Sequence, residues 1–216
     1  MSDHTRKLAL AAVIVASATA VSRLTGLGRE VITAAVYGVD PDYNTFVSVS
    51  VIPQLVQQLF ADAAISAAFV PVFTALLTEG ERERAYRLAA NLLGLIVVVV
   101  GAAVVVLALA AGPLTRWMYP ELTGTPAGAG LAADLLRILV PTILFLSLAG
   151  AISGVLYSFE RFTMPAVVSI VWNLTIIAAI AAFHGSLGVD AIAWGMLVGT
   201  VLEVVMLAGT QRYHGR

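Results

Sequence analysis

Two arginines six residues apart, Arg23 and Arg29, stand in the segment VSRLTGLGRE, with Glu30 directly after the second. Arginine is permanently charged and its planar fork bonds two oxygens at once, so such a pair suits a phosphate or diphosphate group. On a regular helix, six residues turn the two side chains about 120° apart and separate them by roughly 9 Å. Thr25, Gly26 and Gly28 lie between them. Glycine permits backbone geometries that would redirect both guanidiniums toward one cavity, so a broken helix is expected here. A second constellation follows. Gln54, Gln57 and Gln58 fall at i, i+3 and i+4 and share one helix face, and Asp62 continues that stripe. Pro53 and Pro71 are expected to kink or end the helix that carries them. Asp62 could accept a guanidinium, a proton or a cation, and a structural salt bridge and a coupling or ligand role both remain open for it.

Other chemistry is thin. Asp134 and Arg137, at i, i+3, read as a self-neutralised pair. Glu203 has no partner in the sequence pattern and is assigned no function. Ser153 in GAISG and His184 could be mistaken for a hydrolase pair, but the small residues around the serine fit close helix packing better. His4, His184 and His214 lack metal-ligand spacing, and cysteine is absent. No enzyme activity, metal or other cofactor is expected.

The elements that must hold these residues are set by composition. Of 216 residues, 60% are hydrophobic and 12% charged, and the mean hydropathy is +0.95. Soluble proteins carry about twice that share of charge, so a water-soluble fold is excluded. A net charge of −1 offers no basic surface to nucleic acid. Crossing a bilayer core takes about 20 apolar helical residues, and six stretches qualify, near 8–37, 43–77, 85–111, 131–159, 163–183 and 189–208. The expected fold is thus a single all-α bundle over 1–216, a polytopic membrane protein with six transmembrane helices. The connections carry turn and breaker residues: DPD, TEGERER, GPLTRWMYPELTGTPAGAG and GSLG.

Positive charge resists translocation, so loop Lys and Arg set orientation. Under six spans, Arg6, Lys7, Arg82, Arg84, Arg87, Arg161, Arg212 and Arg216 fall on one side and Arg116 on the other. Both termini are therefore expected in the cytoplasm. The basic start, LALAAVIV and Ala16-Ser17-Ala18 also resemble a cleavable secretory signal. Because apolar character continues to Val21 and resumes after Arg29, a retained membrane helix is the better reading. Charge at bilayer depth is costly and usually faces a cavity or a partner. The plainer alternatives for the arginines are that Arg23 pairs with Asp62 or Glu30 for structure alone, or that Arg29 and Glu30 lie at the outer interface.

These residues resemble a known family. SRLTGLGRE is similar to the first-helix signature of the lipid II flippases (MurJ/MviN), within the multidrug/oligosaccharidyl-lipid/polysaccharide exporter superfamily. FADAAISAAFVPVF, with Asp62 and Pro71, resembles the second-helix signature, and SFERFTMPA followed by Asn173 resembles the connection between the fourth and fifth helices. The likeness runs from about Leu8 to Arg212 and corresponds to that family's first six helices, one lobe of a two-lobe exporter fold.

The resemblance implies a flippase that moves undecaprenyl-diphosphate-linked peptidoglycan precursor, lipid II, to the outer leaflet of the cytoplasmic membrane by alternating access. Arg23 and Arg29 would hold the diphosphate, with Asp62, Gln57 and Gln58 beside them. Glu30, Gly26, Gly28, Pro53 and Asn173 would serve structure or coupling. Two departures matter: Gln57 and Gln58 stand where the family commonly has arginine, and Pro53-Gln54 replaces its usual Pro-Asn. The second lobe lies outside this sequence. A site between halves needs two walls, so a separately encoded second half or a homodimer would have to supply the other. The alternatives are an exporter of another lipid-linked oligosaccharide, and a non-transporting membrane scaffold or truncated remnant.

Overall fold

The computed structural model describes residues 3–58, 69–159 and 163–212, with the side chains of 13, 16–56, 58, 69–159 and 163–210. Asp62 and the side chain of Gln57 lie outside the described residues. Within them the chain is all helical: α1 (Asp3–Tyr37), α2 (Pro41–Gln57), α3 (Val70–Thr78), α4 (Arg82–Leu109), α5 (Ala111–Met118), α6 (Pro126–Ser158), α7 (Thr163–Leu187) and α8 (Asp190–Arg212).

Four of these, α4, α6, α7 and α8 up to Thr210, are long and apolar enough to cross a membrane. They lie over the third to sixth expected spans. At 35 residues α1 would reach about 50 Å at 1.5 Å per residue, but it carries Arg23, Arg29 and Glu30 in its C-terminal half. It runs without a break through Gly26 and Gly28, so the expected interruption is not there. In a helix packed along its length on a neighbour, glycine lowers propensity by only about 1 kcal/mol, too little to break it. Pro53 likewise sits inside α2, which continues to Gln57.

The connections show why the elements end where they do. Gly38 and Gly188 take positive φ of 54° and 55°, a region open to glycine, and close the C-termini of α1 and α7. Asp40 caps α2 by accepting from the Asp42 backbone N–H at 2.8 Å, with Pro41 at the first helical position. Thr125 caps α6 in the same way, ahead of Pro126. The Gly/Pro-rich connection contains α5 and the start of α6, with turns between them. Ala111 and Thr115 of α5 are buried, whereas Trp117 is 81% exposed, as an aromatic at a membrane interface would be. The Tyr119 hydroxyl donates to the Ser48 carbonyl at 2.7 Å and ties this connection to α2; burial raises the phenol's pKa above its ordinary value.

The central helix is α6. Leu135, Leu136, Leu139, Val140 and Ile143 are buried in the largest apolar cluster, and the helix touches α2, α4, α5 and α8. Its buried hydroxyls bond back into the helix: Thr142 to the Leu139 carbonyl at 2.5 Å and Ser147 to that of Ile143 at 2.7 Å. By contrast α4 turns most of its Val-rich surface outward, Val98 and Leu109 being 69% and 79% exposed. Such a face is at home against lipid. Opposite, α7 and α8 pack at close range. A Cβ at Gly195 would lie 2.8 Å from the Ala179 Cβ and 3.1 Å from the Ile176 Cα.

That contact yields a test. Gly195→Ala must part α7 from α8, and thermal unfolding in detergent should register a loss of about 1–3 kcal/mol. Gly209→Ala, with nothing within 4 Å of the added carbon, should be neutral or slightly stabilising.

Candidate functional site: a cleft between the first two helices

A short turn joins α1 and α2, yet the two barely touch; α1 packs along α7 and α2 along α6. The seam between α1 and α7 is written in one stripe of α1. Ser22 Oγ donates to Ser169 Oγ at 2.8 Å. Gly26 faces the Asn173 amide, whose oxygen and nitrogen would lie at an ordinary contact distance of 3.8 Å from a Cβ there. Asn173 is buried and donates to the Ser169 carbonyl at 3.0 Å. At the far end the Tyr37 hydroxyl donates to the Gly188 carbonyl at 2.9 Å. Paired in rising order along both helices, these contacts make α1 and α7 run parallel.

The divergence of α1 from α2 opens a cleft of about 220 Å³. Arg29, Glu30 and Thr33 line it from α1; Tyr43, Phe46, Val47, Ser50 and Gln54 from α2; and Ile192 and Met196 from α8. A ladder of rings closes one end, Tyr37 on Tyr43 at 5.7 Å and Tyr43 on Phe46 at 6.0 Å.

Arg29 is the cleft's cation. Its side chain is 22% exposed and pairs with the carboxylate of Glu30, itself 62% exposed. The guanidinium carbon lies 5.0 Å from the centre of the Trp172 ring, within cation–π range. Helical neighbours point about 100° apart, so the Arg29–Glu30 contact requires both side chains to bend toward each other.

The other sequence-derived residues are dispersed. Arg23 is exposed and does not line the cleft: with α1 continuous, it sits one 100° step round from Ser22. Gln58 is exposed. Pro53 is buried within α2, and no neighbour lies within 4 Å of a Cβ placed on Gly28. Asp134 and Arg137 pair with each other at 2.7 Å, as their spacing implied. Ser50, Thr33, Tyr43 and Trp172 were not singled out in the sequence. Thr33 and Trp172 had one available signal, since Thr33 lies four residues beyond Arg29 on the same face and Trp172 precedes Asn173.

Helices long and apolar enough to cross a membrane, bundled beside a cleft that holds a charged pair, define a multi-pass helical membrane protein. Comparison with known proteins makes this specific. The chain belongs to the MurJ lipid II flippase family, whose model, "Lipid II flippase MurJ", matches residues 33–216. Arg23 and Arg29 lie just upstream of that stretch. A lipid II flippase MurJ of Burkholderia cenocepacia is 32% identical over 201 residues, 90% of this chain and 38% of its own length. A probable lipid II flippase MurJ of Rhizobium tropici is 30% identical over 209 residues, 94% and 39%. A solved structure, lipid II flippase MurJ in an inward closed conformation, superimposes with a TM-score of 0.72 at 23% identity, covering 94% of this chain and 42% of that one. This last likeness concerns the fold. The chain thus spans about two fifths of the length of these relatives, which are named as transporters, not enzymes.

The unequal surroundings of the arginines predict unequal effects on folding. Arg29→Ala removes an ion pair and a ring contact and should lower the midpoint of thermal unfolding in detergent measurably. Arg23→Ala should leave it within experimental error.

Proposed function

We propose that this chain is one lobe of a two-lobe flippase that carries lipid II from the cytoplasmic to the outer leaflet by alternating access. The observation that carries the reading is Arg29, a permanent cation held part-buried in a cleft with Gln54, Ser50 and Thr33 around it. A diphosphate offers oxygens in the bidentate geometry that a guanidinium prefers, and it can displace Glu30, whose carboxylate is mostly in the open. Arg23, on the exposed face of the same helix, would grip the headgroup from the side where a second wall must stand. Gln58, Gln57 and Asp62 would extend the polar lining along the second span. Gly26, Gly28, Pro53 and Asn173 would serve packing, with Gly26 against Asn173 holding α1 to α7.

In this reading α1 is the first span, and the segment from α2 through α3 the second, giving six with α4, α6, α7 and α8. Both termini then face the cytoplasm. The facing wall comes from a separately encoded half or from a second copy, and transport follows from binding the diphosphate differently in inward- and outward-open states.

In proteoliposomes containing the chain and whatever supplies the facing wall, Arg29→Ala should slow lipid II exchange between leaflets by about 10- to 100-fold, the worth of a charge-assisted hydrogen bond. Exchange at the parent rate would overturn the reading. A second reading, a non-transporting scaffold or remnant, draws on the outward placement of Arg23 and on glutamines where arginines are expected. It predicts lipid retention without exchange even in the parent chain. Carriage of another lipid-linked oligosaccharide would instead appear as exchange of that lipid in preference to lipid II.

Orientation is tested separately, and the absence of cysteine gives a clean background. Ser186→Cys should react with a membrane-impermeant maleimide on intact cells, and Glu81→Cys only after permeabilisation. The opposite pattern would reverse the topology.

A further inference from the structure

Trp172 stands where three helices meet, and its contacts point one way. It lies on α7 one turn beyond Ser169 and beside Asn173, the two residues that join α7 to α1, and its ring carries the Arg29 guanidinium at 5.0 Å. On the other side it fills the space left by Gly199 of α8: a Cβ there would meet Cδ1 at 2.8 Å, Nε1 at 3.3 Å and Cγ at 3.4 Å. The indole nitrogen is buried with no hydrogen-bond partner among the described residues. A buried orphan donor is costly, so packing alone favours phenylalanine or leucine at this position. What indole adds is the strongest π-face available to a cation.

We propose that Trp172 is a positioning residue for Arg29, holding its guanidinium toward the cleft, and that Gly199 is glycine in order to seat the ring. The inference rests on the function proposed above, since it concerns how the diphosphate-binding cation is aimed. Glu30 neutralises Arg29 but is itself largely exposed, so it fixes charge better than direction. The ring supplies a wall from one side, leaves the cleft side of the guanidinium free for oxygens, and takes no hydrogen-bond donor away from the ligand. Because the ring is wedged against α8, displacement of α8 along α7 would also move the cation.

Two measurements on the 216-residue chain in lipid nanodiscs test this. The first needs no ligand. With Trp117→Phe and Trp194→Phe in place, Trp172 is the only one of the three tryptophans left to report, and Arg29→Gln should shift its emission. An unchanged spectrum would overturn the contact and the proposal with it.

The second measures binding of farnesyl diphosphate, with farnesyl monophosphate and farnesol as controls. Trp172→Phe should weaken diphosphate binding by about three- to tenfold, the range of a cation–π contact, with little effect on farnesol and with folding intact by circular dichroism. Gly199→Ala should do the same by pushing the ring aside. In an Arg29→Gln background, Trp172→Phe should have no further effect. If Arg29→Gln weakens binding but Trp172→Phe does not, the positioning role is overturned and the proposed function stands; if neither weakens it, both fall.

Discussion

An arginine among apolar helices is costly unless it is neutralised or solvated, upwards of about 2.5 kcal/mol at bilayer depth, and the surroundings of Arg29 meet that requirement. A carboxylate neutralises it, an aromatic face lies beside it and an open cleft gives it polar company. Each of these partners comes from a different source: Glu30 from the next residue, Trp172 from α7, and Gln54 and Ser50 from α2. The site exists only where α1 lies on α7 while parting from α2.

That parting has its own cause. The stripe Ser22, Gly26, Arg29 and Thr33 keeps one face of α1 small or polar, and it lies along α7, where Ser169 bonds Ser22 and Asn173 packs beside Gly26. In apolar surroundings, where burial of hydrocarbon drives little association between helices, small residues and interhelical hydrogen bonds decide which helices meet. α2 offers α6 a different surface: Phe46, Val49 and Ile52 join the apolar cluster around Leu135, Leu139 and Ile143. The two helices are drawn to different neighbours while the Gly38–Asp40 turn holds their ends together, which opens a wedge with aromatic rings at its closed end.

Membership of the MurJ family fits this arrangement without making the cleft complete. The relatives extend well beyond the region matched here, and the cleft is walled by α1, α2 and the start of α8, with Arg23 exposed outside it.

Much of this was written in the chain order. Hydropathy determined that the protein is helical and membrane-embedded, and the apolar runs that became α4, α6, α7 and α8 could be placed from it, since backbone groups in a bilayer must bond within their own segment. The spacing of Asp134 and Arg137 determined their pair, because i, i+3 contacts depend on helix geometry alone. The arginine-bearing segment also stood out, as charge among apolar residues always does. What the order of residues could not decide was which way each arginine faces. The glycines between Arg23 and Arg29 suggested a break that would bring them together. In the folded chain the helix stays regular through Gly26 and Gly28, and the two diverge by the ordinary helical turn. Likewise Trp172 lies 143 residues from Arg29 in the sequence, and no local pattern joins them. Only tertiary packing, by laying α7 along α1 and opening α1 from α2, chose one arginine for the cleft and left the other outside it.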